Sequence, residues 1–224
     1  RDVLAQLTAA PLANADFPYM SARQLDIGCA PVLALRVTYL GELGYELHVP
    51  FEYALHLYEK LWAAGQPHGI ANAGYRAINS LRLEKHYLIW GADITPDYNP
   101  YEAGLGFCVA LGKGDFLARA ALAEVKTRGP KQKLAWFTAP PEVNLFGGEI
   151  VLAGDRVLGR VSSAGYGYTV GRSIGYGYVR DPENGVTRDF LLSGRYELEV
   201  TTTRVPAELF LDPLYDPKMS RIKS

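Results

Sequence analysis

The strongest limit on the fold is a change of texture at Thr127-Arg128-Gly129-Pro130. Upstream, helical and strand-like periodicities alternate. Downstream, nearly every segment reads as β-strand. The runs 133–138, 149–152, 157–162, 173–178 and 196–201 are short. They are separated by Gly147-Gly148, Ala153-Gly154-Asp155 and Asn184-Gly185, residues that adopt the tight turns between strands. Short strands at close, regular spacing predict a small antiparallel barrel or sandwich. We therefore expect an α+β protein with two parts: a mixed α/β region over 1–128 and an all-β domain over 129–224.

In the first part, residues 32–49 predict strand, turn, strand. Val32, Leu33, Leu35, Val37 and Tyr39 form one run, and Tyr45, Leu47 and Val49 alternate with Glu46 and His48. Gly41-Glu42-Leu43-Gly44 between them suits a hairpin. Residues 52–64 place Ala54, Leu55, Tyr58, Leu61 and Trp62 at helical spacing, with Gly65 as a stop. A second helix is expected over 75–87, with Ala77, Ile78, Leu81 and Leu88 facing inward. Residues 106–111 read as a buried strand, and 116–126 as a short helix capped by Asp115.

Composition excludes several function classes. The chain has 23 basic and 24 acidic residues, a net charge of −1, so no electrostatic footprint for nucleic acid or an anionic membrane is visible. No apolar stretch approaches the ~20 residues of a membrane span. Cys29 and Cys108 are the two cysteines; they make no disulfide scaffold and lack metal-ligand spacing, which suggests a reducing compartment. His48, His56, His68 and His86 have no cysteine or acidic partner at ligand spacing either. No metal site is expected. The chain begins at Arg1 and its first methionine is Met20, which suggests a piece of a longer polypeptide; residues 1–16 lack the apolar core of a signal peptide. Gly165-x-Gly167-x-x-x-Gly171 misses dinucleotide-loop spacing and lies between strands, not before a helix. Tight β-packing accounts for it.

Two stretches carry chemistry. In Tyr39-Leu40-Gly41-Glu42-Leu43-Gly44-Tyr45-Glu46, strand alternation sets Glu46 on the face opposite Tyr45 and Leu47. A carboxylate there can accept a planar, two-donor edge through paired hydrogen bonds; equally, Glu42 and Glu46 read as solvent-facing charges. In Gly74-Tyr75-Arg76-Ala77-Ile78-Asn79-Ser80-Leu81-Arg82-Leu83-Glu84, Arg76 falls in the first helical turn, where the macrodipole disfavours a cation. That makes it a candidate for a ligand or partner contact. Arg82 and Glu84 are two apart and cannot face each other, so each needs its own partner.

These two stretches, in this order, resemble the glycine-cleavage T-proteins (aminomethyltransferases). The residues from Arg36 to Glu46 are similar to the family's tetrahydrofolate-binding signature, and those from Ala73 to Glu84 to the helix that follows it. Asp93-Ile94-Thr95-Pro96 and Tyr101-Glu102-Ala103-Gly104-Leu105 resemble the next landmarks, and Gly159 to Ile174 the core of the C-terminal barrel. Glu42 to Pro50, Phe17-Pro18 and Pro213-Leu214-Tyr215-Asp216-Pro217 look most like the folate region of dimethylglycine and sarcosine dehydrogenases. There the folate domain follows an FAD-dependent dehydrogenase domain.

The resemblance implies the C-terminal half of an aminomethyltransferase-type folate-binding domain followed by a small antiparallel β-barrel. It implies a partial tetrahydrofolate site: Glu46 on the pterin's amidine edge, Tyr39 lining the site, Arg76 contacting the folate, and Tyr215 closing the pocket. The family's catalytic aspartate lies about a hundred residues before the position of Glu46, farther than this chain extends, so no catalytic residue is expected here and the chain alone is expected to be inactive. The expected partners are folate, an upstream FAD domain and the first half of the folate domain, all of one chain. The parent would oxidise an N-methylated glycine to an iminium and capture the one-carbon unit as 5,10-methylenetetrahydrofolate. It would be cytoplasmic in a bacterium and in the mitochondrial matrix in a eukaryote. A non-catalytic homologue like the pyruvate dehydrogenase phosphatase regulatory subunit, or a free-standing folate methyltransferase or demethylase, would share these features.

Overall fold

The computed structural model describes residues 1–181 and 183–224. They divide into two compact units: Arg1–Leu81 with Asp216–Ser224, and Arg82–Tyr215.

The first unit contains a short helix, α1 (Asp2–Ala5), and an antiparallel sheet of β1 (Ala22–Ile27), β2 (Ala30–Leu35) and β3 (Glu46–His48) in that spatial order. Helix α2 (Ala54–Gly65) and most of α3 (Tyr75–Glu84) follow. Alternation along β1 and β2 turns Leu25, Ile27, Ala30, Val32 and Ala34 to one face, where they pack with Leu4, Leu12, Phe17 and Leu57. Strand β1 was not expected, because residues 22–27 offer only Leu25 and Ile27 as apolar signals.

Two expectations for this unit need correction. Residues 36–45 form a ten-residue irregular connection between β2 and β3, not a tight hairpin on Gly41 and Gly44. At its start Arg36 turns inward and is fully buried. It donates to the carbonyls of Phe17 (2.8 Å) and Ser224 (2.9 Å) and to the side chain of Asn14. Helix α2 forms as expected but buries a different stripe. Leu57 is buried, with Tyr53 and Leu61 packed beside it, whereas Leu55 is 69% exposed and Tyr58 faces solvent. Helical spacing marks the helix; with apolar residues on both sides it does not select the buried one.

The second unit begins with the last turn of α3 and continues through α4 (Arg119–Arg128) into the β-region. Strands β4 (Gln132–Ala139), β5 (Ile150–Ala153), β6 (Arg156–Gly167), β7 (Arg172–Arg180), β8 (Tyr196–Val200) and β9 (Thr203–Phe210) close a barrel in the order β4-β7-β6-β5-β8-β9. Closure leaves no free sheet edge, and of the two expected β-architectures the barrel is the one formed. Strand β9 escaped the sequence reading because Pro206 interrupts its run, and proline demotes a strand signal. Two other expectations fail. Residues 106–111 are not a strand but a 3-10 turn, Gly106–Cys108, with Phe107 exposed. Helix α4 starts at Arg119, and its N-cap is Ala118 in the left-handed region, not Asp115.

Ala135, Phe137, Val151, Leu158, Val161, Val179 and Leu198 fill the barrel. The glycines of β6 and β7 let the two backbones approach. A Cβ on Gly159 would sit 1.7 Å from the Tyr178 carbonyl oxygen, and one on Gly177 would sit 2.8 Å from that of Arg160. Of the glycines for which close packing was expected, Gly167 shows it, since a Cβ there would sit 2.6 Å from Ile174 Cδ1, whereas a Cβ on Gly171 would meet nothing within 4 Å. Tyr176 and Tyr178 point out of the barrel and join Leu83, Leu134 and Ile174 in a second cluster.

Helix α5 (Arg188–Ser193) is fastened to β8 by a buried hydroxyl. The Tyr196 Oη donates to the Leu191 carbonyl at 2.8 Å, and burial raises the phenol's pKa. Tyr196→Phe keeps the ring against Phe137 but leaves that carbonyl unpaired. Urea unfolding should show a loss of about 1 kcal/mol, and an unchanged midpoint would deny the bond any role.

Candidate functional site

The loop and strand bearing the first two candidate residues are held from behind. Phe17 and Tyr45 pack with ring centroids 5.7 Å apart, and Leu47 joins the same core. Alternation then directs Glu46 outward, as expected. Its side chain is 55% exposed, and Oε2 lies 3.5 Å from Nε2 of His48, two residues along the same face. Within the 36–45 connection, the Leu40 N–H donates to Thr38 Oγ1 at 3.1 Å, and Glu42 lies 3.7 Å from Arg221. Tyr39 is half-buried there.

Arg76 lies in the first turn of α3 with its side chain exposed. Among the described residues it makes no ion pair with Glu46. Tyr39, Glu46 and Arg76 all belong to the first unit, and Tyr215 to the second. The backbone of Tyr215 is fixed on both sides: its N–H donates to the Glu84 carbonyl at 3.1 Å, and its own carbonyl accepts from Lys85 Nζ at 3.3 Å.

Sequence reasoning did not foresee the polar core around the end of α3. Arg82, Glu84, Lys85 and Asp93 are all buried. The expectation that Arg82 and Glu84 need separate partners holds. Arg82 Nη1 donates to Asp93 Oδ2 at 2.8 Å, while the Glu84 carboxylate accepts the N–H groups of Thr169 (2.6 Å) and Val170 (3.0 Å) at the β6–β7 turn.

His86 follows directly. Its ring stacks on Trp136 at 4.3 Å with an interplanar angle of 6°. Burial, reinforced by neighbouring Lys85, lowers its pKa to about 3, so the ring is neutral at pH 7. Burial also raises the Tyr178 phenol, aided by Tyr98, Asp93 and Glu102. At Asp181 burial works against ionisation, but hydrogen bonds from Arg156 and Asn184 prevail and lower its pKa. Among the described residues, no three His, Cys, Asp or Glu side chains gather to hold a metal ion. None of their helices is long and apolar enough to cross a membrane.

The sequence patterns described as "GCVT N-terminal domain" and "Glycine cleavage T-protein C-terminal barrel domain" match residues 1–113 and 132–216. The chain belongs to the glycine cleavage T-protein family. It is 41% identical over 225 residues to sarcosine dehydrogenase, mitochondrial, of Mus musculus, with all of this chain and 24% of that protein covered. Dimethylglycine dehydrogenase, mitochondrial, of the same organism is 35% identical, covering all of this chain and 25% of the relative. The pyruvate dehydrogenase phosphatase regulatory subunit, mitochondrial, of Mus musculus is also 35% identical, covering 95% of this chain and 26% of the relative. The chain thus spans about a quarter of the length of these curated relatives. A crystal structure of the glycine cleavage system aminomethyltransferase T from Bartonella henselae shares the T-protein fold. Its TM-score is 0.78 at 23% identity, over 96% of this chain and 56% of that one.

Proposed function

We propose that this T-protein region supplies part of a tetrahydrofolate pocket in an enzyme that oxidatively demethylates an N-methylated glycine. Glu46 carries the reading. Its backbone is set by core packing of Tyr45 and Leu47, while its carboxylate stays open, an arrangement that fits a planar edge with two donors. Arg76 offers an exposed cation for an anionic part of the ligand, Tyr39 a half-buried ring, and Tyr215 a ring on a fixed backbone. Folate, when bound, supplies the acceptor for a one-carbon unit; an FAD domain elsewhere in the parent supplies the oxidation. In this reading the chain has no activity alone. The folate region ends near residue 128, and the protein works in the mitochondrial matrix of a eukaryote or the cytoplasm of a bacterium. Likeness to a phosphatase regulatory subunit supports a second reading, in which the same scaffold serves regulation without folate chemistry.

Calorimetry with tetrahydrofolate separates the two, using the chain extended upstream to the length of its dehydrogenase relatives. Glu46→Gln should weaken binding by about 1–2 kcal/mol, the scale of a charge-assisted bond. Equal affinity of the two forms removes Glu46 from the site, and failure of the unsubstituted form to bind favours the regulatory reading.

A further inference from the structure

We propose that Cys29 and His56 form a thiol–imidazole pair that carries out thiol–disulfide exchange with small disulfides. The pair includes none of the candidate folate residues and does not depend on them.

Strands β1 and β2 meet in a two-residue turn, Gly28-Cys29, with Ile27 paired to Ala30. Gly28 has φ +60, the conformation that tight primed hairpin turns demand and that glycine supplies without strain. The tip rests against α2. A Cβ on Gly28 would lie 2.7 Å from His56 Nε2 and 3.7 Å from Lys60 Cε, so only glycine leaves room for the ring. This places Cys29 Sγ 3.4 Å from His56 Nε2, within hydrogen-bond range for sulfur. Among the described residues this is the one side-chain hydrogen bond of either group. Cys29 is a free thiol exposed to solvent, and His56 is half-buried.

A thiol must lose its proton to become a nucleophile, and a hydrogen-bonded imidazole is a base placed to take it. The Cys29 Sγ attacks one sulfur of a small disulfide while His56 Nε2 accepts the thiol proton. A new S–S bond forms to Cys29, the original S–S bond breaks, and the departing thiolate takes the proton from the imidazole. Cys29 is oxidised and the leaving half is reduced. Lys60, one turn beyond His56 on α2, adds positive charge and favours disulfides bearing carboxylates.

Cys108 provides an internal reference. It is equally a free, exposed thiol, at the end of a 3-10 turn, with no imidazole beside it among the described residues. Stopped-flow reaction with 4,4′-dithiodipyridine at pH 7 compares Cys108→Ser, which retains Cys29, with Cys29→Ser, which retains Cys108. The Cys29 thiol should react at least roughly ten-fold faster, the low end of what a positioned base contributes. Adding His56→Asn or His56→Gln to Cys108→Ser should bring its rate close to that of Cys108. Because unfolding would also break the pair, circular dichroism of both variants must match the unsubstituted chain, so that a slower rate reports the lost imidazole. In the unsubstituted chain, limiting glutathione disulfide should form its mixed disulfide at Cys29 before Cys108, read by peptide mass mapping. Equal rates for the two thiols, or a Cys29 rate unmoved by both His56 substitutions, overturns the proposal.

Discussion

Asp93→Ala should cost the second unit about 3–5 kcal/mol, the usual penalty for stranding one half of a buried ion pair. The side chain is fully buried, and each oxygen is engaged. Oδ2 accepts from Arg82 Nη1 at 2.8 Å and from the Ile89 N–H at 2.9 Å, and Oδ1 accepts from Ser162 Oγ at 2.7 Å. Its removal leaves a guanidinium that is 2% exposed without its counter-charge and the Ile89 N–H without its side-chain acceptor, while the Ser162 hydroxyl keeps only the Tyr176 carbonyl at 3.4 Å. Arg82→Met should be comparably harmful, because it leaves the carboxylate charged and buried. The double variant Arg82→Met/Asp93→Leu should lose much less than the sum, since it strands no charge. Arg204→Ala is the control. Its partner Asp155 is 98% exposed, and such surface pairs contribute about 0–1 kcal/mol. Urea unfolding of the four variants supplies the comparison. A loss below about 1 kcal/mol for Asp93→Ala would show that the pair does not hold the unit together.

The second large effect is loss of stability in mild acid. His86 is held neutral in the fold, its pKa pushed down to about 3 by burial and by Lys85, whereas an unfolded histidine titrates near 6.5. Between these values the unfolded chain binds a proton that the folded chain refuses. The stabilisation is therefore complete above pH ~6.5 and falls by about 1.4 kcal/mol per pH unit below it, a loss of about 2 kcal/mol by pH 5. Carboxylates titrate lower. Asp181, whose pKa is lowered, stabilises the fold above the ordinary carboxylate range and loses that contribution only in stronger acid. The window from pH 7 to 5 thus belongs mainly to histidine. His86→Asn tests this, since asparagine tolerates the positive φ of this position and does not titrate. Its stability should vary far less than that of the unsubstituted chain between pH 7 and 5, and parallel curves would clear His86.

Local patterns carried much of the architecture. Turn pairs and closely spaced β-runs announced the barrel, and alternation around Glu46 gave the direction of that side chain. The misses share one cause: local signals do not show what lies across the fold. Leu55 and Leu57 are equally apolar, but only Leu57 meets the sheet. Pro206 argued against β9, yet the strand tolerates it opposite Glu197. Arg82, Glu84 and Lys85 look like a solvent-facing helix end, and they are buried because Asp93, the 169–170 turn and Tyr215 receive them. Of the candidate residues, the outward course of Glu46 was legible. The backbone anchoring of Tyr215 was not, because it joins residues 130 positions apart.

The segment Asp216–Ser224 returns to the first unit. There Ile222 is buried, and the Ser224 carbonyl accepts from both Arg1 and Arg36. A ribosome delivers these groups only after residues 82–215. Arg36 therefore waits, incompletely satisfied, while residues 82–215 are translated, and the first unit lacks these contacts until residue 224 has been made. A chain released before residue 216 would leave Arg36 buried without that acceptor, which gives protein quality control a ready mark by which to recognise it.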